Sequence, residues 1–483
     1  MPRSSKIFWV LFISILCIGI NSWFLADNIP VLPILVLLLI SAIVLFFRFD
    51  LIIYFITFCT PLSIQYYFKE FNIAFSFPSE PFMFGLMFIF FLKLIIEGFP
   101  DRKILKHPIT LAIAMLIFWS LITTFTSQMI FVSAKSFLAR LWFIVVFYFL
   151  TLFIFKEISE IKKMVWAYIL GFLIVIFYTW YQHAAYDFTQ IESYNVMMPF
   201  FPDHTVYGAM IAFFIFILAA FSFSSAVSPP LYTRIWSFFV LLIFMTALFL
   251  SYSRGAWIGA AASLVFYILL IFRIKFNQFV LGLFIFGAVV FWKRDELYVK
   301  MKLSDAPPTK EVSSHLGSIT NVSSDVSNLE RINRWNSAIG MFETKPLLGY
   351  GPGTYSFFYI RFQRLDQITS ISSNFGDAGN AHSEYLMPLS ESGIFGLITF
   401  LILLFTVIYT GMNLFYSAQN SAIKYMALAA LLGLVSYFVH GFLNNFLDLD
   451  KGAVPFWTFI AIITSLDLKN KEIKKSTERI PLL

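Results

Sequence analysis

Apolar runs about as long as a bilayer is thick recur along this chain, and they constrain it more than any other feature. They lie at 7–25, 31–48, 50–67, 80–97, 108–126, 136–156, 163–182, 205–223, 233–251, 254–272, 276–292, 394–413, 422–442 and 453–467. A helix rises 1.5 Å per residue, so roughly 20 residues cross a hydrocarbon core of about 30 Å. Within that core every backbone N–H and C=O must be satisfied inside the chain, which leaves helices as the answer for runs of this length. Only 13% of the 483 residues are charged, against about 25% in soluble domains. The sequence predicts an all-α, polytopic transmembrane helical bundle of about 12–14 spans. Pro61 and Gln65 make the run 50–67 the one to expect short or re-entrant. Residues 7–25, after Lys6, lack a small-residue cleavage site and read as a retained first helix that also targets the chain. Cys17 and Cys59 both sit in apolar runs and suggest neither a disulfide framework nor a metal set.

Basic residues set the expected orientation. With the N-terminus in the cytoplasm, the cytoplasmic side receives Arg102, Lys103 and Lys106, Lys156, Lys162 and Lys163, Arg273 and Lys275, and the cluster from Lys469 to Arg479. The short outer loops and outer helix ends receive only Lys69, Lys135, Arg140, Arg254 and Lys451. This is the asymmetry of the positive-inside rule. It divides the chain into an N-terminal bundle (1–292), an outward loop domain (293–392), C-terminal spans (393–468) and a basic cytoplasmic tail (469–483). The net charge of +7 is then a matter of topology and implies no nucleic-acid partner.

The loop domain is the one long stretch too polar for the bilayer. Residues 303–329, with Pro307 and Pro308, read as a mobile surface loop. Apolar positions at helical spacing (Ile332, Trp335, Ala338, Ile339, Met341, Phe342) predict an amphipathic helix over 329–345 lying on the membrane. The same orientation turns Asp203 and His204, Arg254, and a later loop with Asn444, Asn445, Asp448 and Asp450 to that side. Polar groups from distant parts of the sequence are thus expected on one face.

Several of them suit chemistry on a charged substrate. Arg254, in Ser251-Tyr252-Ser253-Arg254-Gly255-Ala256-Trp257, is a charge near membrane depth, which is costly and so points to function; the alternative is a snorkelling helix-end arginine. Arg331 lies one turn before Trp335, and a guanidinium fork matches two phosphate oxygens; its alternative is a solvated charge paired with Glu330 or Glu343. Arg334 is a second choice for the same task. His382, flanked by Asn380, Ser383 and Glu384, can take a proton from a hydroxyl near neutral pH. His204 either joins the site or caps the helix starting at Thr205, and His440 reads as structural. The run Gly349-x-Gly351-x-Gly353-Thr354 lacks the lysine of a nucleotide-binding loop and reads as a tight turn, with a phosphate-binding backbone nest as the sharper alternative. Asp448 and Asp450 are too few for a hard-cation site, so no metal and no cofactor are expected.

Taken in order, Ser253-Arg254-Gly255-Ala256-Trp257, Glu330-Arg331-x-x-x-Trp335, the run from Pro346 to Tyr355, Ala381-His382-Ser383-Glu384-Tyr385 and Glu391-Ser392-Gly393-x-x-Gly396 resemble the O-antigen ligase and O-antigen polymerase family of bacterial inner-membrane proteins. The resemblance covers roughly residues 200–400. It implies a GT-C-like fold and a metal-independent, inverting glycosyltransferase acting at the periplasmic face of the inner membrane. The implied donor is a glycan on undecaprenyl pyrophosphate. The implied acceptor is a sugar of lipid A–core for a ligase, another lipid-linked repeat for a polymerase, or a protein in some relatives. The family's intramembrane arginine falls on Arg254, its loop arginine on Arg331 and its histidine on His382, as the catalytic set. Arg334, Trp335, Tyr252, Ser253, His204, Asp203, Gly351, Gly353, Ser383 and Glu384 are the expected substrate contacts. The family's usual His-Asn is His-Ser at residues 382–383 here. Competing readings are a lipid-glycan flippase, which would show repeat symmetry and mid-span charges on several helices, and a structural or sensory membrane protein.

Overall fold

The computed structural model describes residues 49–68, 73–98, 101–293, 326–364, 368 and 379–478. The expected spans 7–25 and 31–48, Cys17, and the expected mobile loop as far as residue 325 lie outside those residues. The described residues hold ten helices long and apolar enough to cross a membrane. In chain order the helices are α1 (Phe49–Cys59), α2 (Ser79–Glu97), α3 (Pro108–Phe125), α4 (Ile130–Ile154), α5 (Ile158–Ala184), α6 (His204–Phe223), α7 (Leu231–Leu250), α8 (Arg254–Ile271), α9 (Phe276–Trp292), α10 (Val326–Thr344), α11 (Leu386–Ser417), α12 (Ser421–His440) and α13 (Asp450–Glu478). Among the described residues the bundle is all-α apart from one two-stranded hairpin.

That hairpin corrects the expected span 50–67. α1 runs on through a 3₁₀ turn, Thr60–Leu62, and Pro61 sits in that turn. The chain then leaves helical geometry for strands β1 (Ile64–Phe68) and β2 (Ile73–Phe77), antiparallel with Ile64 opposite Phe77. The apolar helix Phe49–Leu62 falls short of a full crossing. The end of α1 is fixed by Lys451, whose buried Nζ donates to the carbonyls of Thr60 (2.6 Å) and Ser63 (2.8 Å).

Local chemistry sets the other ends. Pro108 occupies the first turn of α3, where its missing N–H costs nothing. Asp203 caps α6 and Asn420 caps α12 by accepting from the first free amides. α11 holds two helical segments across a break at Gly393 (φ 68°): the first starts at Leu386, and the second follows the break where the span from 394 is expected. α13 continues without a break to Glu478, so the expected tail boundary at 469 falls inside a helix.

α13 is the axis of the bundle, with 94% of its span window buried, whereas α8 lies at the rim with 28%. Phe213, Phe214 and Phe459 interlock where α6 and α13 cross. Close approach relies on small residues, as is usual between membrane helices: a Cβ on Gly259 would lie 2.6 Å from the Ser436 carbonyl oxygen, so α8 and α12 meet backbone to backbone.

Alternation of the helices gives two ends. One collects the loops 126–130, 184–204, 250–254, 379–386 and 440–450, with the hairpin and α10. The other collects Lys103 with Glu472 (2.6 Å), Lys469 with Glu157 (2.8 Å) and Lys471 with Asp467 (2.6 Å).

Candidate active site

The loops at the first end are bound to one another through buried polar groups. Glu384 is the centre of that binding. Its carboxylate accepts from the Tyr437 hydroxyl (2.5 Å), the Asn445 amide (3.1 Å) and the backbone N–H groups of Phe446 (2.7 Å) and Leu447 (2.9 Å). Its own N–H donates to the Gly441 carbonyl (2.8 Å). Asn380 adds a bond to the Asn445 carbonyl (3.1 Å). The segments 380–385 and 440–447 therefore form one body. Glu384, expected as a substrate contact, is a clamp between loops.

His382 sits on that body in the left-handed region, with φ 47°. Such a backbone costs a non-glycine residue roughly 1–2 kcal/mol and persists where its surroundings determine it. Here both neighbours do: its N–H donates to Asn380 Oδ1 (3.0 Å), and its carbonyl accepts from Trp335 Nε1 (3.2 Å). Trp335 is thereby a support for His382. Burial, then the charges of Arg334 and Arg331, push the His382 imidazole down to about 3, while a hydrogen bond to the Asn444 side chain and the charge of Asp203 act the other way. The imidazole is neutral at physiological pH.

The two arginines of α10 differ. Arg334 is buried and committed: Nε donates to Glu330 (2.7 Å), one Nη to the Asn380 carbonyl (3.2 Å), and the guanidinium lies 5.5 Å from the centre of the Tyr359 ring. It locks α10 to the loop before His382, a structural task beside the substrate contact expected of it. Arg331, one residue beyond Glu330, keeps partial exposure. The amphipathic reading of α10 also needs correction. Its buried face is Glu330, Asn333, Arg334, Ser337, Ala338 and Met341, while Ile339 is exposed. A polar, small-residue face docks on the bundle, because buried ion pairs and hydrogen bonds take the place of apolar contact.

Asp203 and His204 reach the same end. Asp203, not His204, is the cap: its Oδ1 accepts from the N–H groups of Thr205 (2.7 Å) and Val206 (3.1 Å) and from the Thr205 hydroxyl (2.5 Å). The His204 ring lies against Tyr194, centroids 4.5 Å apart. Ser253 is buried against Gly208. Tyr252, at φ 49°, donates its hydroxyl to the Phe188 carbonyl (3.1 Å). Arg254 is the first residue of α8 and half-buried at the rim. Its neighbour Gly255 touches His440, where a Cβ would lie 3.0 Å from the ring Cε1. Asn444 Nδ2 lies 3.0 Å from His440 Nε2. Contacts thus run from the Arg254 helix end through His440 and Asn444 to His382. Asn444 and His440 are the site residues that the sequence reading did not select.

The glycine run is a turn. Gly351 N–H donates to the Glu391 carbonyl (2.7 Å) and Ile394 N–H to the Pro346 carbonyl (2.8 Å), so the run docks into the Gly393 kink. A Cβ on Gly351 (φ 111°) would collide with Ser127 and Ser133, and one on Gly353 (φ 75°) with Ser136. Gly351 has no open face for phosphate. Ser383 is buried and caps α11 through its hydroxyl, which accepts from the N–H groups of Tyr385 and Leu386, both at 3.3 Å. Asp448 and Asp450 point apart: Asp448 accepts from Arg140 (3.0 Å), and Asp450 from the hydroxyls of Ser63 and Ser79. They do not form a joint cation site.

Behind the clamp, between α3, α4 and α11, lies a small cavity of about 100 Å³. Leu116, Ile117, Phe137 and Ile144 line its apolar part, and Glu384, Asn445 and Asp448 border it next to the loops.

Residues 238–401 match the O-antigen ligase family model, a stretch that contains Arg254, Arg331 and His382 and stops short of His440 and Asn444. No curated protein matches the chain. The match supports glycosyltransferase activity of the O-antigen ligase or polymerase type in a multi-pass membrane protein. Over residues 238–401, about a third of its length, the chain is similar to the O-antigen ligase family.

Proposed function

We propose that the protein transfers a glycan from undecaprenyl pyrophosphate to a sugar hydroxyl of lipid A–core at the periplasmic face of the inner membrane. The observation that carries this reading is the position of His382. It is a neutral imidazole with a pinned backbone, flanked by arginines of α10, on the loop body that α8 and Arg254 adjoin through His440.

The chemistry follows from those groups. His382 takes the proton from the acceptor hydroxyl as its oxygen attacks the anomeric carbon. The bond from that carbon to the pyrophosphate oxygen breaks, and configuration inverts. The lipid pyrophosphate leaves with its charge, which Arg331 and Arg254 stabilise as it develops. No nucleotide is required, since the lipid pyrophosphate carries the energy. The apolar wall behind Glu384, with Leu116, Ile117, Phe137 and Ile144, offers contact for part of an isoprenoid chain. Binding of the anionic donor offsets the arginine charges beside His382 and raises its basicity when the acceptor is to be deprotonated.

A polymerase of the same family, joining lipid-linked repeats, uses the same groups, and the match to residues 238–401 serves it equally. Glycan analysis of a deletion strain separates the two. Loss of all polymer from lipopolysaccharide, with long lipid-linked chains accumulating, is the result expected of a ligase. Single repeats attached to core would assign the polymerase instead. Normal polymer in both pools would remove both.

A further inference from the structure

Asn444 stands between two imidazoles. Its Nδ2 can only donate, and it lies 3.0 Å from His440 Nε2, which must therefore be the acceptor. The bond between Asn444 and His382 favours the protonated ring, which assigns it to Asn444 Oδ1, and a carbonyl oxygen can only accept. The polarity of the chain is then fixed. His440 carries its proton on Nδ1, against Gly255; Asn444 donates to His440; His382 donates one ring N–H to Asn444. The second ring nitrogen of His382 keeps its lone pair. His440 and Asn444 are both buried, at 2% and 3% exposure, so water does not compete for these bonds. The loop that carries Asn444 is held on the His382 loop by the Glu384 and Asn380 bonds.

We infer that Asn444 and His440 are positioning residues for His382: they select the tautomer whose free nitrogen can receive the acceptor proton, and they tie that choice to the N-terminal end of α8, which carries Arg254. This deepens the proposed function and rests on His382 being its base. The groups facing His382 are Arg331 and Arg334 from α10, Asp203 from the turn before α6, and Asn444 from the 440–447 loop.

The test uses full-length protein in lipid nanodiscs, a lipid-pyrophosphate-linked glycan and a sugar acceptor, with melting temperature recorded for each variant. Asn444→Leu, which keeps the volume and removes both bonds, is expected to lower kcat about 10- to 100-fold with the donor KM unchanged, the usual scale for a supporting partner of a functional histidine. Asn444→Asp keeps an acceptor and adds a charge, and is expected to retain activity with the acid limb of the pH profile raised by about one unit or more. His440→Phe should lose activity as Asn444→Leu does. His440→Gln, whose amide oxygen can accept from Asn444, should restore it. A merely structural pair would lower the melting temperature without moving the pH limb and without rescue by Gln. Folded Asn444→Leu and His440→Phe proteins with wild-type kcat and pH profile would overturn the inference. Should His382→Ala itself turn over normally, the base assignment fails instead, so the two failures are distinguishable.

Discussion

The two ends of the bundle use polar residues in opposite ways. At one end most ion pairs are at the surface: Lys103 and Glu472 have side chains 61% and 58% exposed, and Lys469 and Glu157 30% and 69%, while His107 with Asp467 is a buried exception. The surface pairs are solvated and add little. At the other end Glu330 with Arg334, Glu384 with Asn445 and Tyr437, and Asn444 with His440 are buried and hydrogen-bonded. Burying polar groups costs several kcal/mol unless each is satisfied. A network of that kind is retained where geometry has to be held, and the geometry it holds here is that of the loop carrying His382.

The difference can be broken by substitution, and the largest effect is expected at Glu384. Removing its carboxylate in Glu384→Ala leaves four buried donors without an acceptor, at roughly 1–3 kcal/mol each before relaxation. The loss of stability should be on the order of 3 kcal/mol or more, read as a fall in melting temperature in detergent. An unchanged melting temperature would show that the two loops do not depend on the clamp.

A smaller effect concerns pH. In the free protein the His382 imidazole is held down to about 3, below its ordinary value of 6.5, so it stays neutral as pH falls through the usual imidazole range. Relative to the unfolded chain the folded protein binds fewer protons there, and stability from this group is lost as pH falls from 6.5 towards 3. The acid limb of kcat/KM, which reports the free enzyme, should therefore lie below that of kcat, which reports the donor complex. Coincident limbs near 6.5 would contradict the role given to the arginines. The smallest effect is at the opposite end: Lys469→Ala should leave turnover and melting temperature at wild-type values, and a clear loss of either would end the contrast between the two ends.

Much of the fold is legible in the apolar runs, because hydropathy over about 20 residues is a direct measure of bilayer length. The hairpin is not, since two five-residue strands rich in Phe, Tyr and Ile have the composition of a short span. The face of α10 was misleading for a related reason. Periodicity selects apolar positions, whereas Glu330 and Arg334 are buried by pairing with each other at i and i+4. Within the candidate site, Arg254, Arg331 and His382 stand out as charges or an imidazole in recognisable runs. Asn444 and His440 carry no local signal. Their significance comes from the closure of two loops more than fifty residues apart, for which Glu384 was the available clue in its position next to the His382–Ser383 pair.

The central claim is that His382 is the base of a metal-independent glycan transfer from a lipid pyrophosphate. It is tested most directly by single-turnover transfer with purified protein in EDTA, comparing the wild type with His382→Ala. The account predicts wild-type transfer in EDTA and a loss of about 10²-fold or more for the variant, with donor binding retained. Transfer by His382→Ala at the wild-type rate, or wild-type transfer that stops in EDTA and returns with Mg²⁺, would contradict it.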